Sequence, residues 1–137
     1  MTEAPTTLVD TNVVLDVVTA DPVWGARSAV RLAQAVDEGP LVIDPIVYAE
    51  VAVGYERIED LDDALSPDIF IREPIPWEAA FLAGRAHRAY RARGGRRERT
   101  LPDFLIGAHA AVRGYRLLTR DSTRYRTAFP RLDVIVP

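Results

Sequence analysis

Thr6-Thr7-Leu8-Val9-Asp10-Thr11-Asn12-Val13-Val14-Leu15-Asp16 is the stretch whose reading decides the fold. It opens as a short run of strand formers and ends abruptly on an acid. Leu8 and Val9 are apolar side by side, without polar alternation, as in a central parallel strand buried on both faces. In open α/β sheets the ligand crevice lies beyond the carboxyl ends of the strands. Asp10 therefore stands where chemistry is expected, with Asn12 on the turn into the following helix. Asp is also a preferred helix N-cap, so Asp10 alone reads first as a cap. The rest of the chain adds three further acids in comparable places.

The next elements repeat the strand-to-helix logic. Asp21 and Pro22 predict a helix start, with Val23, Ala26, Val30, Ala33 and Val36 as its inward stripe and Gly39-Pro40 as its stop. Leu41-Val42-Ile43 is a second short buried strand, so strand, helix and strand form a parallel unit. Asp44-Pro45 repeats the cap-and-proline start. In the helix that follows, Glu50 is the only charge of the first two turns and shares the stripe of Ile46 and Val47. Glu is seldom buried without a partner. Either an Arg or a cation awaits it, or this helix is less buried than its composition suggests.

Residues 54–67 turn acidic and predict a short helix with Ile58, Leu61 and Leu65 inward. Ile69-Phe70-Ile71 reads as a strand or an extended link. A long helix follows from Trp77 to Ala92, with Ala80, Phe81, Gly84, His87, Ala89 and Tyr90 turned inward. Leu101-Pro102-Asp103 opens the next helix, with Phe104, Leu105, Ala108 and Val112 as its core stripe, and Gly114 ends it. First-turn Asp complements the helix dipole, so Asp103 alone carries little. His109 is six residues further on, too far to share a metal with Asp103 on one helix face, and His87 and His109 read as core or surface histidines. Tyr115–Thr119 is a strand with Asp121 just past its end. Arg124-Tyr125-Arg126 and Phe129-Pro130 form a turn or short helix, and Asp133–Val136 the last strand.

Composition bounds the function. At 137 residues the chain is one domain, 1–137, without linker or repeat. Without cysteine there are no disulfides and no thiolate metal sites. No apolar run approaches the roughly 20 residues of a membrane span, and the N-terminus lacks the pattern of a signal peptide. No membrane association and a cytoplasmic location are therefore expected. The net charge is −3, yet all 17 basic residues are Arg. Arg85, Arg88, Arg91, Arg93, Arg96, Arg97 and Arg99 form a stripe interrupted by one acid, Glu98. Arg85, Arg88 and Arg91 complement the C-terminal dipole of their helix. Those beyond it, in a Gly-led loop, suit phosphate-backbone contacts, which makes Arg91, Arg93, Arg96, Arg97 and Arg99 candidate RNA-binding residues.

Asp10, Glu50, Asp103 and Asp121 can converge on one crevice of a parallel α/β sandwich. Four gathered carboxylates repel one another unless cations are present. Oxygen-only donors select a hard ion, Mg²⁺ or Mn²⁺, and such ions serve phosphate chemistry.

Four segments, in this order and at these separations, resemble PIN-domain ribonucleases, and specifically the VapC toxins of type II toxin–antitoxin modules. They are Leu8–Asn12, Tyr48–Val51, Leu101–Ala110, and Leu118–Ser122 with Arg124–Arg126 and Phe129-Pro130. The resemblance covers essentially the whole chain. It implies a three-layer α/β sandwich with a central, mostly parallel sheet flanked by helices. It also implies Mg²⁺- or Mn²⁺-dependent endonucleolytic cleavage of RNA, a cognate antitoxin that covers the groove, and a homodimer. By the same resemblance Asp10, Glu50, Asp103 and Asp121 form the catalytic metal site, supported by Asn12 and Thr119. Where some members carry a further Asp shortly after the last acid, this chain has Ser122, Thr123 and Arg124.

Two other readings compete. A haloacid-dehalogenase-type phosphatase needs a second Asp two residues after the first and normally a Lys for the phosphate; this chain has Asn12 and no Lys. A non-catalytic PIN-like RNA-binding module is expected to lose some of the acids, and all four are present.

Overall fold

The computed structural model describes residues 4–95 and 100–137. Arg96, Arg97 and Arg99 lie outside the described residues. In chain order the elements are β1 (Thr7–Val9), α1 (Thr11–Val18), α2 (Gly25–Glu38), β2 (Leu41–Ile43), α3 (Pro45–Ala52), α4 (Ile58–Ala64), β3 (Phe70–Arg72), α5 (Trp77–Ala92), α6 (Leu101–Arg113), β4 (Arg116–Leu118), α7 (Ser122–Ala128) and β5 (Val134–Ile135). The strands form one sheet in the order β3-β2-β1-β4-β5, and every pairing is parallel.

β1 holds the middle of the sheet. Thr7, Leu8 and Val9 are all buried, as are Leu41, Val42 and Ile43 of β2 and Leu117 and Leu118 of β4. Successive strand residues point to opposite faces, so helices cover the sheet on both sides. This is the expected three-layer α/β architecture. The strand order also fixes where a ligand belongs. From β1 the chain moves through β2 to β3 on one side, then returns to β4 and β5 on the other. The topological switch therefore lies between the carboxyl ends of β1 and β4. These two ends are laced together, since Asp10 N donates to the Leu118 carbonyl at 2.9 Å.

Element limits follow local chemistry. Asp44 Oδ1 accepts from the amides of Ile46 and Val47 and caps α3, with Pro45 in its first turn. α5 has the predicted limits. α6 ends on Gly114 in the left-handed conformation (φ 71°), which glycine adopts without a Cβ penalty. The start of α2 differs. Asp21 Oδ2 accepts from Val23 N and Trp24 N, capping a separate turn, and the helix begins at Gly25.

Several predicted faces are corrected. α2 buries Gly25, Ser28, Leu32 and Ala35, while Val23 is 74% exposed and Val30 59%. Small residues face inward because Ser28 must come close enough to α1 to donate to Asp16 Oδ2 at 2.7 Å. On α5 the buried residues are Ala79 and Ala83, and Phe81, Gly84 and Ala89 point outward. Ile58 of α4 and Val112 of α6 are also exposed. Each of these helices has one more apolar row than its packing uses. For Glu50 the last of the open alternatives holds: α3 is less buried than its composition suggests, burying Val47 and Val51 and leaving Glu50 on the exposed side, off the stripe of Val47.

Candidate active site

Asp10 ends β1 and is the N-cap of α1. Its carboxyl is 5% exposed and fully engaged. Oδ1 accepts from Thr11 N at 2.8 Å, and Oδ2 accepts from the Thr119 hydroxyl at 2.7 Å. The Tyr125 hydroxyl also bonds to it. None of these partners is a cation. Burial therefore dominates and raises its pKa to about 6, with nearby Asp121 adding to the shift and the hydrogen bonds opposing it.

Asn12 and Thr119 join Asp10 to Asp121. The Asn12 amide nitrogen lies 3.3 Å from Asp10 Oδ2 and 3.2 Å from Asp121 Oδ2. Its carbonyl oxygen accepts from Arg120 N at 3.2 Å. The Thr119 hydroxyl donates to Asp10 and accepts from Asp121 N at 3.0 Å. Arg124 then links Asp121 to Asp103, its Nη1 lying 3.9 Å from Asp121 Oδ2 and 3.8 Å from Asp103 Oδ2. Asp103 sits in the first turn of α6, where its Oδ2 accepts from Thr100 N at 3.1 Å. On the other side, Thr11 donates through its hydroxyl to Glu50 Oε1 at 2.7 Å. One unbroken run of polar contacts thus connects Glu50, Thr11, Asp10, Asn12, Asp121, Arg124 and Asp103. All four predicted acids belong to it, as do Asn12 and Thr119.

The acids differ in exposure. Asp10 is buried, Asp103 is half-buried, and Asp121 and Glu50 are open to solvent. They are spaced by hydrogen-bond donors. Among the described residues no three of His, Cys, Asp or Glu already stand as a ready-made metal-holding group. The donor chemistry still fits a hard divalent ion, because every carboxylate here offers oxygen and Asp10 has no cationic partner among the described residues. An apolar cavity of about 480 Å³, lined among others by Leu82, Val112, Phe129 and Leu132, contains none of these acids.

Two contributors escaped the sequence reading. Tyr125 is buried against the site, and its phenol is held well above its ordinary pKa by burial and by the charges of Asp10, Asp103 and Asp121. Its ring fits because α6 carries Gly107 there: a Cβ on Gly107 would come within 2.9 Å of Tyr125 Cδ1. The available signal was a single phenol four residues after Asp121. The second is Arg120, whose Nε lies 2.9 Å from the buried Asp16 carboxylate and whose guanidinium stacks on Trp24 at 5.1 Å. The Nε–H is not aimed well enough for a hydrogen bond, so this is an ion pair. It anchors the residue before Asp121. Of the Arg stripe, Arg91 and Arg93 lie exposed at the C-terminal end of α5.

His109 belongs to a different cluster. It is wholly buried, with Nδ1 3.0 Å from Asp44 Oδ2 and Nε2 2.9 Å from Glu73 Oε1. It is a core histidine, and an ion-paired one.

The family model of the PIN domain matches residues 7–130. Among solved structures, the chain resembles VapBC2 from Rickettsia felis bound to a promoter DNA fragment, with TM-score 0.75 and 18% identity over 96% of this chain and 98% of that one. It also resembles VapBC-1 from nontypeable Haemophilus influenzae, with TM-score 0.73 and 20% identity over 96% and 97%. A toxin–antitoxin complex from Klebsiella pneumoniae matches with TM-score 0.66 and 23% identity over 94% and 95%. No curated protein matches the chain. At such identities the structural likeness speaks for the fold, and the family match over nearly the whole length speaks for descent: the chain belongs to the PIN domain family.

Proposed function

We propose that this protein is a metal-dependent endoribonuclease and the toxin of a toxin–antitoxin pair. The observation that carries this reading is the connected set of four acids at the sheet's switch point, centred on a buried Asp10 that has only neutral hydrogen-bond donors among the described residues. Structural acids do not need that arrangement. Membership of the PIN family and a fold shared with toxins solved in toxin–antitoxin complexes support it further.

In this reading Asp10, Glu50, Asp103 and Asp121 would hold Mg²⁺ or Mn²⁺. Such an ion, when bound, supplies an activated water and neutralises charge on the scissile phosphate. The chain's own residues do the rest. Thr119 and Thr11 N fix both oxygens of Asp10. Asn12 sets the separation of Asp10 from Asp121. Tyr125 keeps its proton and excludes water behind Asp10. Arg91 and Arg93, with Arg96, Arg97 and Arg99, contact the RNA backbone. The partner is an antitoxin that covers the acid crevice. A second copy packs on the outer face of α5, where Trp77 is 89% and Phe81 71% exposed.

The test is cleavage of structured and unstructured RNA by the purified protein. Mg²⁺ or Mn²⁺ should support cleavage, a chelator should abolish it, and DNA of the same sequence should survive. Undiminished cleavage in excess chelator would sink the metal mechanism.

A further inference from the structure

Arg124 occupies an unusual position among the acids. Its Nη1 lies almost midway between Asp103 and Asp121, at 3.8 and 3.9 Å. Both distances are at the outer limit of an ion pair, so the guanidinium is shared between the carboxylates and commits to neither. The two acids come from different elements, the first turn of α6 and the loop after β4. Arg124 is thus the one guanidinium that spans the crevice between them among the described residues. Each acid also has a second tie, Asp103 to Thr100 N and Asp121 to the Asn12 amide. The carboxylates therefore stay in place if Arg124 leaves. There is room for it to leave: an open cavity of about 290 Å³ is lined by Arg120, Asp121, Ser122, Thr123 and Arg124.

We infer that Arg124 is a built-in counter-cation, holding Asp103 and Asp121 while the crevice is empty and giving them up when a divalent ion arrives. This inference rests on the metal-dependent reading of the same site. The physical reason is competition: a guanidinium and a divalent cation repel one another and draw on the same two carboxylates. By linkage, whatever Arg124 contributes to the empty site is subtracted from the affinity for the ion. Once released it is a planar, always-charged donor beside the acids, suited to bidentate contact with a phosphate. Arg124 is a positioning residue in this scheme.

The test is calorimetric titration of Mn²⁺ into the full chain without RNA, for the wild type, Arg124→Gln and Arg124→Lys. The pair is half-exposed, so its coupling is modest, and Arg124→Gln should bind Mn²⁺ about two- to fivefold more tightly. Saturating Mn²⁺ should then raise the melting temperature more in Arg124→Gln than in the wild type. Arg124→Lys restores the charge and should return both quantities toward the wild type. If the wild type binds Mn²⁺ and Arg124→Gln binds it equally or more weakly, Arg124 is only a tie between α6 and α7, and the inference falls alone. If neither protein binds Mn²⁺, the metal reading of the crevice falls and takes the inference with it.

Discussion

Two groups of acids lie past the carboxyl ends of this sheet, and they are treated in opposite ways. Asp44 and Glu73 follow β2 and β3, and His109 bridges them through both ring nitrogens. Tyr115 donates to Glu73 Oε2 at 2.7 Å, and Arg113 stands 3.2 Å from Oε1. With a carboxylate facing each nitrogen, the charged imidazole is favoured and its pKa is held above the ordinary value. Every charge there is answered within the chain. Asp10 and Asp121 follow β1 and β4, where Asp10 has only neutral donors. The same position in a parallel sheet thus serves two ends. Where the acids are answered, the cluster is a clamp between β2, β3 and α6. In the other group, Asp10 is buried among neutral donors while Arg124 stands beside Asp121.

The largest effect should come from cutting the clamp. His109→Ala removes the residue that bridges Asp44 and Glu73, leaving the buried Asp44 carboxylate without its ionic partner while the part-exposed Glu73 keeps Tyr115 and Arg113. Breaking a buried ion pair on one side costs about 3–5 kcal/mol. Chemical denaturation should show a loss of that size. A loss below about 1 kcal/mol would mean that water or a shifted proton replaces the imidazole, and the contrast between the two clusters would weaken.

Asp10→Asn should behave in the opposite way. The substitution keeps shape and removes a buried charge. One acceptor oxygen becomes an NH2 group, which faces the Thr119 hydroxyl if the remaining oxygen stays on Thr11 N, and that hydroxyl can turn to accept. RNA cleavage should fall by at least about a hundredfold, while the melting temperature in chelator stays level or rises. If Asp10 were chiefly the cap of α1, Asn, an equally good N-cap, would leave both stability and cleavage intact. Cleavage, with the melting temperature measured on the same variant, separates the two roles.

These two clusters also mark the limits of what could be read from the chain. Asp10 was legible because an acid directly after a buried strand is a local pattern, and Asp121 because it stands three residues past the end of β4. Asp44 was legible as a cap for the same reason as Asp10. His109 was legible only as a core or surface histidine, since its partners are 65 and 36 residues away. Likewise Thr119 reaches Asp10 across 109 residues. Such contacts follow from strand order, which periodicity does not encode. The face of α2 failed for another reason. Its close approach to α1 needs Ser28 and small neighbours inward, so its strongest apolar stripe lies on the solvent side.

Gly107 offers a smaller lever on the active side of the comparison. A Cβ at this position would meet Phe129 ring carbons at 2.5 and 2.8 Å as well as Tyr125. Gly107→Ala should therefore cost about 1–3 kcal/mol through overpacking. Because Tyr125 backs Asp10, cleavage should fall too, in a variant that alters no acid. Equal stability loss with unchanged cleavage would show that Tyr125 fills space without positioning Asp10.

The gentlest probe of the clamp is pH, and it acts on the unmodified residues. Burial alone would push the His109 pKa down, but Asp44 and Glu73 outweigh it and hold it above its ordinary value. A group raised on folding contributes stability that is complete below its unfolded pKa, about 6.5, and is lost as pH rises through the folded value. Glu73 runs the other way. Burial would raise it, yet His109, Tyr115 and Arg113 hold it below its ordinary value, so its contribution is lost as pH falls through that depressed value. The clamp should therefore be strongest between these limits. Other groups titrate over the same range, Asp10 among them, so the quantity to measure is the stability difference between the wild type and His109→Gln at each pH. That difference should shrink steadily on the alkaline side. A difference that stays flat from neutral pH upward would mean that His109 is neutral in the folded protein, and that the second acid cluster is answered by hydrogen bonds alone.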